Sequence, residues 1–154
     1  MKRMFRSMWM AAAVAAGLAT ALPAAAQFAK PEDAIKYRKN ALFVMAQHFG
    51  RVAAMANGKM PFDAKLVAEN AEIATMMSKL PYVAFIEGTD KGDTKAKPEI
   101  WTEMDKFMAA ATTMQDAVVK LNTAAKGGNI DTIKAAVGET GKACKACHDN
   151  YRKE

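Results

Sequence analysis

The stretch that most constrains this chain is Cys144-Lys145-Ala146-Cys147-His148, close to the C-terminus. Its C-x-x-C-H spacing is the pattern of covalent c-type haem attachment. Residues three and four apart share a helix face. A helix here lets both thiols reach one edge of a porphyrin, and it raises the His148 imidazole on the same side, within reach of the iron. These are the only cysteines in the chain, so one reading must account for both. Three other readings compete. A thioredoxin-like redox pair wants a βαβ context and a reactive cysteine at a helix N-terminus. Here the motif instead follows a long helical pattern that begins near Ile130. A structural zinc site needs four ligands, and His48 is the only other histidine. A disulfide between the two cysteines would close a very small loop and stabilise little.

Residues 1–26 read as a cleaved secretory leader: Lys2, Arg3 and Arg6 precede an apolar run from Met8 to Leu22, and Ala24-Ala25-Ala26 offers the cleavage site before Gln27. The run is short for a membrane span, and no arginine pair marks a twin-arginine route. Export to the periplasm is expected, with no membrane attachment after cleavage. It agrees with haem attachment, which in bacteria occurs outside the cytoplasm. The leader also carries three of the chain's 22 basic residues and none of its 16 acidic ones, so the net charge of +6 falls to about +3 without it. That excess is spread along helices and forms no nucleic-acid stripe.

The remainder, 27–154, is the length of one domain and reads as four helices. The first spans about Pro31 to Ala56, with proline and acidic residues in its first turn. Its seam is Ile35, Leu42, Met45, Phe49, Val52 and Ala56, and Arg38 takes an inward position on it. A buried charge needs a partner. Arg38 either meets a haem propionate or snorkels out past a short apolar contact. Asn57-Gly58 ends this helix. The second starts after an Asp63 cap and reaches about Leu80, where Pro81 stops it. A loop over Tyr82 to Lys97 follows, its first half apolar enough to pack down. The third helix is expected to run unbroken from Pro98 to Ala125. The fourth is expected to start near Asp131, with Gly138 and Gly141 as points where another group could approach closely. Short connections make these an all-α, antiparallel up-down bundle with a cofactor site between facing helices. The many alanines on the seams leave space that a haem would fill.

The whole of 27–154 resembles the cytochrome c′ family, high-spin class II c-type cytochromes of Gram-negative bacteria. The resemblance is carried by Gln27 to Ala34, His48-Phe49-Gly50-Arg51, Pro61 to Ala64, Leu80-Pro81 with Phe85 and Gly88-Thr89, Pro98 to Trp101, and Cys144 to Arg152. It implies one covalent haem c per subunit on Cys144 and Cys147, with His148 as the axial iron ligand. It implies that Leu42 blocks the distal position, that Arg38 pairs with a propionate, and that Lys39, Thr94 and Lys95 line the haem edge. Arg152 falls beside the proximal imidazole. Where family members often carry Gly-Pro before the loop's Gly-Thr, this chain has Ile86-Glu87.

The resemblance further implies a periplasmic homodimer with five-coordinate iron that binds nitric oxide and carbon monoxide or passes electrons to an unidentified redox partner. The small residues Ala46, Gly50, Ala53 and Ala54 on the first helix suit such a dimer face. One alternative is a low-spin, six-coordinate electron carrier with Met45 as second ligand. Another is an enzyme that turns over nitric oxide, against which the first helix offers no acid–base pair or distal histidine. His48, off the seam, reads as an ordinary helix histidine.

Overall fold

The computed structural model describes residues 27–154; the leader assigned to 1–26 lies outside them. Helix α1 runs over Pro31–Ala56, α2 over Ala64–Met77, α3 over Glu99–Thr102, α4 over Met104–Gly127 and α5 over Ile130–Tyr151. The four long helices close a ring. α1 packs on α2, α2 on α4, α4 on α5, and α5 returns to α1. This is the expected antiparallel four-helix bundle, and none of the described helices is long and apolar enough to cross a membrane.

Local chemistry sets most helix ends. The Asp63 carboxylate accepts from the Leu66 amide at 3.0 Å and caps α2. Asn129 caps α5, its side-chain oxygen accepting from the amides of Asp131 and Thr132 at 2.9 and 3.1 Å. The cap therefore lies two residues ahead of Asp131, and the helix begins at Ile130. Gly128 closes α4 with φ of 69°, a left-handed conformation that suits glycine.

The core runs the length of the bundle in three parts. Val52, Met55, Val67, Leu121 and Ile133 fill one end. Ala74, Met114 and Val118 form the middle, and Ile100, Phe107 and Tyr151 close the other end. Each large aliphatic side chain buried this way contributes about 2 kcal/mol. Ala53, expected on a small-residue outer face, is partly buried against the first part of the core. Two polar residues on inward faces find partners, while the buried Asn122 Oδ1 has none among the described residues. The hydroxyl of Thr140 donates within α5 to the Ala136 carbonyl at 2.9 Å. His48 Nδ1 and Asn70 Oδ1 meet at 2.8 Å and tie α1 to α2.

Two expectations need correction. Helix α2 ends at Met77, and the chain passes through Ser78 into a 3₁₀ turn at Pro81–Ala84 rather than continuing to Leu80. The third predicted helix is broken: Glu103, at φ −128° and ψ 39°, separates α3 from α4. Trp101 supplies a reason, because its indole N–H donates to the Ile86 carbonyl at 2.9 Å and draws α3 onto the loop. Side chains built at Gly138 and Gly141 would meet no protein atom within 4 Å, so no neighbouring helix fills the space beside either glycine.

Candidate functional site

Helix periodicity places the sulfurs of Cys144 and Cys147 one turn apart on α5. Both thiols are unbonded to each other and partly buried. Cys144 packs against the middle of the core beside Met45, Tyr82 and Ala143. Cys147 packs beside Phe85, Ala96, Trp101 and Met104. Burial pushes both thiols above their ordinary pKa, so they sit as neutral groups against an apolar wall. His148, next in sequence, lines an open groove of about 570 Å³ with Lys95, Lys97, Asp149, Arg152, Lys153 and Glu154. Burial, then the positive charge of Arg152, lowers the His148 pKa against a smaller opposing effect of Asp149. The imidazole is thus neutral at pH 7, with a lone pair available to a metal.

A separate constellation surrounds Arg38. Its side chain is 2% exposed. One terminal nitrogen donates to the Ala84 carbonyl at 3.0 Å and to Thr89 Oγ1 at 2.8 Å. The other donates to the Thr89 carbonyl at 2.6 Å and to Thr94 Oγ1 at 3.0 Å. The guanidinium also lies 4.4 Å from the Phe85 ring centroid and 5.4 Å from that of Trp101. A desolvated cation over an aromatic face gains about 2 kcal/mol. Burial pushes its pKa down to about 10, which leaves it a cation at neutral pH. The snorkelling reading of Arg38 is therefore wrong. Its partners are oxygens of the loop, and among the described residues no carboxylate forms an ion pair with it.

Of the residues singled out in the sequence, Cys144, Cys147, His148 and Arg152 fall together on and just after the last turns of α5. Arg38 and Thr94 meet directly. Lys39 pairs with Asp93 at the surface rather than turning inward. Lys95 lies in the His148 groove. Leu42 is half-buried on α1, while Met45, one turn on, belongs to the Cys144 cluster. Sequence reasoning gave no role to Thr89, which accepts from Arg38 twice, or to Phe85 and Trp101, which stack on it. The only signal was their presence in the resembling segments.

A family model described as Cytochrome C' matches residues 33–152. This chain belongs to the cytochrome c′ family. It is 56% identical over 129 residues to cytochrome c′ of Rubrivivax gelatinosus, covering 83% of this chain and all of the relative. It is 48% identical over 128 residues to that of Alcaligenes xylosoxydans xylosoxydans, covering 83% and 99%. The crystal structure of the Rubrivivax protein superposes with a TM-score of 0.80 at 56% identity, over 82% of this chain and 100% of that one. A nitric oxide complex of a cytochrome c prime variant from Alcaligenes xylosoxidans gives 0.77 at 46% identity, over 82% and 98%.

The cofactor of the cytochrome c′ family is covalent haem c, and the donor set here fits it. The two thiols are neither paired with each other nor joined by further ligands: among the described residues no group of three His, Cys, Asp or Glu could hold a metal ion. That removes the zinc reading. The thioredoxin reading loses its context, since the motif lies late in a long helix and the described residues contain no strand beyond one isolated bridge.

Proposed function

We propose that Cys144 and Cys147 hold the haem through thioethers and that His148 is its sole protein axial ligand. The haem supplies an iron that binds diatomic gases and changes charge by one electron. The observation that carries this reading is the pair of half-buried thiols one turn apart on α5, with a neutral imidazole directly after them. The chain's own residues then divide the work. The apolar wall around Cys144 and Cys147 excludes water from one face. Leu42 limits access at the distal position and offers a bound gas no hydrogen bond. Arg38, a buried cation with no carboxylate partner among the described residues, has its Nε–H available for a propionate while its terminal nitrogens hold the loop. Arg152 lies beside the imidazole.

The ligand is nitric oxide, with carbon monoxide as a second, and the role is gas binding or electron transfer rather than catalysis. Support comes from the relative crystallised as a nitric oxide complex. The compartment is the periplasm, which follows from the leader and from haem attachment outside the cytoplasm. The protein is a homodimer through α1 and α2, where Phe43 and Leu66 are exposed and a side chain at Gly50 would meet open space.

The competing six-coordinate reading has one observation in its favour, the position of Met45 in the Cys144 cluster. Acid–acetone extraction and an optical spectrum test both readings. The expected result is pigment retained on the protein and a high-spin spectrum. A methionine-to-iron charge-transfer band that Met45→Ala abolishes would assign Met45 as the sixth ligand, and extracted haem would refute the thioether assignment.

A further inference from the structure

The groove around His148 is built by an unusual junction. The loop after the 3₁₀ turn runs back along the C-terminal end of α5 and pairs with it: the Lys97 amide donates to the Tyr151 carbonyl at 2.9 Å, and the Lys153 amide donates to the Lys95 carbonyl at 2.7 Å. Ala96 and Arg152 form the isolated bridge between them. Lys95 and Lys97 of the loop line the same groove as Arg152 and Lys153. Two carboxylates, Asp149 and Glu154, share it. Asp149 is already held by the Lys145 ammonium at 2.6 Å. Four cations therefore line the groove beside the exposed imidazole, against the Glu154 carboxylate, which makes no ion pair among the described residues. Arg152, Lys153 and Lys95 are exposed and make no side-chain ion pair among the described residues.

Backbone pairing of this kind fixes where the charges stand before any partner arrives. A concentrated patch of one sign steers an oppositely charged protein and raises its association rate. Electron-transfer encounters are small and transient, so such a patch is large enough to serve one. The patch also surrounds the one proposed iron ligand that faces solvent, the shortest route from a docked protein to the iron.

We propose that this groove is the docking face for an acidic electron-transfer protein, an inference that rests on His148 being the axial ligand. With a haem held by Cys144, Cys147 and His148, the groove would serve a one-electron transfer to an oxidised partner. The held iron would lose the electron that the partner's centre gains, and no proton would move.

The test uses the holoprotein and, as the probe, an acidic blue-copper protein in its Cu(II) form, which becomes Cu(I). Stopped-flow rates are measured from low to physiological salt for the wild type, for Lys153→Glu, and for Lys134→Glu on the far half of α5. The wild-type rate should fall steeply with salt. Lys153→Glu should lower the low-salt rate about tenfold and flatten the salt dependence, and Lys134→Glu should leave the rate nearly unchanged. A rate indifferent to salt, or equal losses in both variants, overturns the proposal. Flotation with phosphatidylglycerol vesicles is the parallel arm. Vesicle binding lost in Lys153→Glu, with the copper-protein rate unaltered, would assign the groove to a membrane surface and also overturns it. Dithionite reduction tests the haem independently of the docking face. If the covalent haem still reduces with an unchanged spectrum, the haem assignment stands while the docking face fails.

Discussion

Arg38 holds Thr89 twice, donating to its hydroxyl at 2.8 Å and to its carbonyl at 2.6 Å across 51 residues of sequence. The pair joins the first turns of α1 to the loop that leads to α3. The Thr89 hydroxyl then donates to the Ile86 carbonyl at 2.7 Å, and Trp101 donates to that same carbonyl. One buried guanidinium thus organises the segment from Ala84 to Trp101.

Truncating it removes four charge-assisted hydrogen bonds and leaves buried carbonyls without donors. Arg38→Ala should therefore lower holoprotein stability by about 3 kcal/mol. Arg38→Lys should recover only part of this, because an ammonium has no fork to reach both Thr89 and Thr94 and stacks poorly on Phe85. Thermal denaturation, with amide exchange over residues 84–94, measures both effects. Unchanged melting and exchange in both variants would refute the role.

Leu42→Ala should speed carbon monoxide binding. A distal side chain that opposes the incoming ligand by about 1.4 kcal/mol slows it about tenfold, and truncation should restore that factor. Flash photolysis reads the rate. An unaltered rate would place the barrier elsewhere.

Tyr82 predicts an alkaline limit. Burial raises its phenol well above the ordinary value near 10. The unfolded chain then loses the proton first as pH rises. The stability this group contributes is whole below about pH 10 and declines above it. Tyr82→Phe keeps the ring and removes the titration, so its unfolding transition should move to higher pH in a circular dichroism titration. A transition at the same pH as the wild type would refute this.

The haem motif and the helix caps were legible in the sequence because each is a local arrangement. A three-residue spacing puts Cys144 and Cys147 on one helix face whatever surrounds them. Asp63 caps α2 with an amide three residues away, and the same short range places the end of α1 at Asn57. The bundle followed from apolar periodicity along four such segments. What Arg38 binds was not legible, since an inward arginine needs a partner and the sequence does not say which distant oxygen comes near. Only packing brings the Ala84 and Thr89 carbonyls to it. The break at Glu103 has the same origin, a bond from Trp101 to a loop that helical periodicity does not see. The cationic groove was likewise hidden, because Lys95 and Lys97 reach His148 through backbone pairing with the C-terminal end of α5. In each case the deciding energy lies between segments far apart in the chain, and only the tertiary structure brings them within hydrogen-bonding distance.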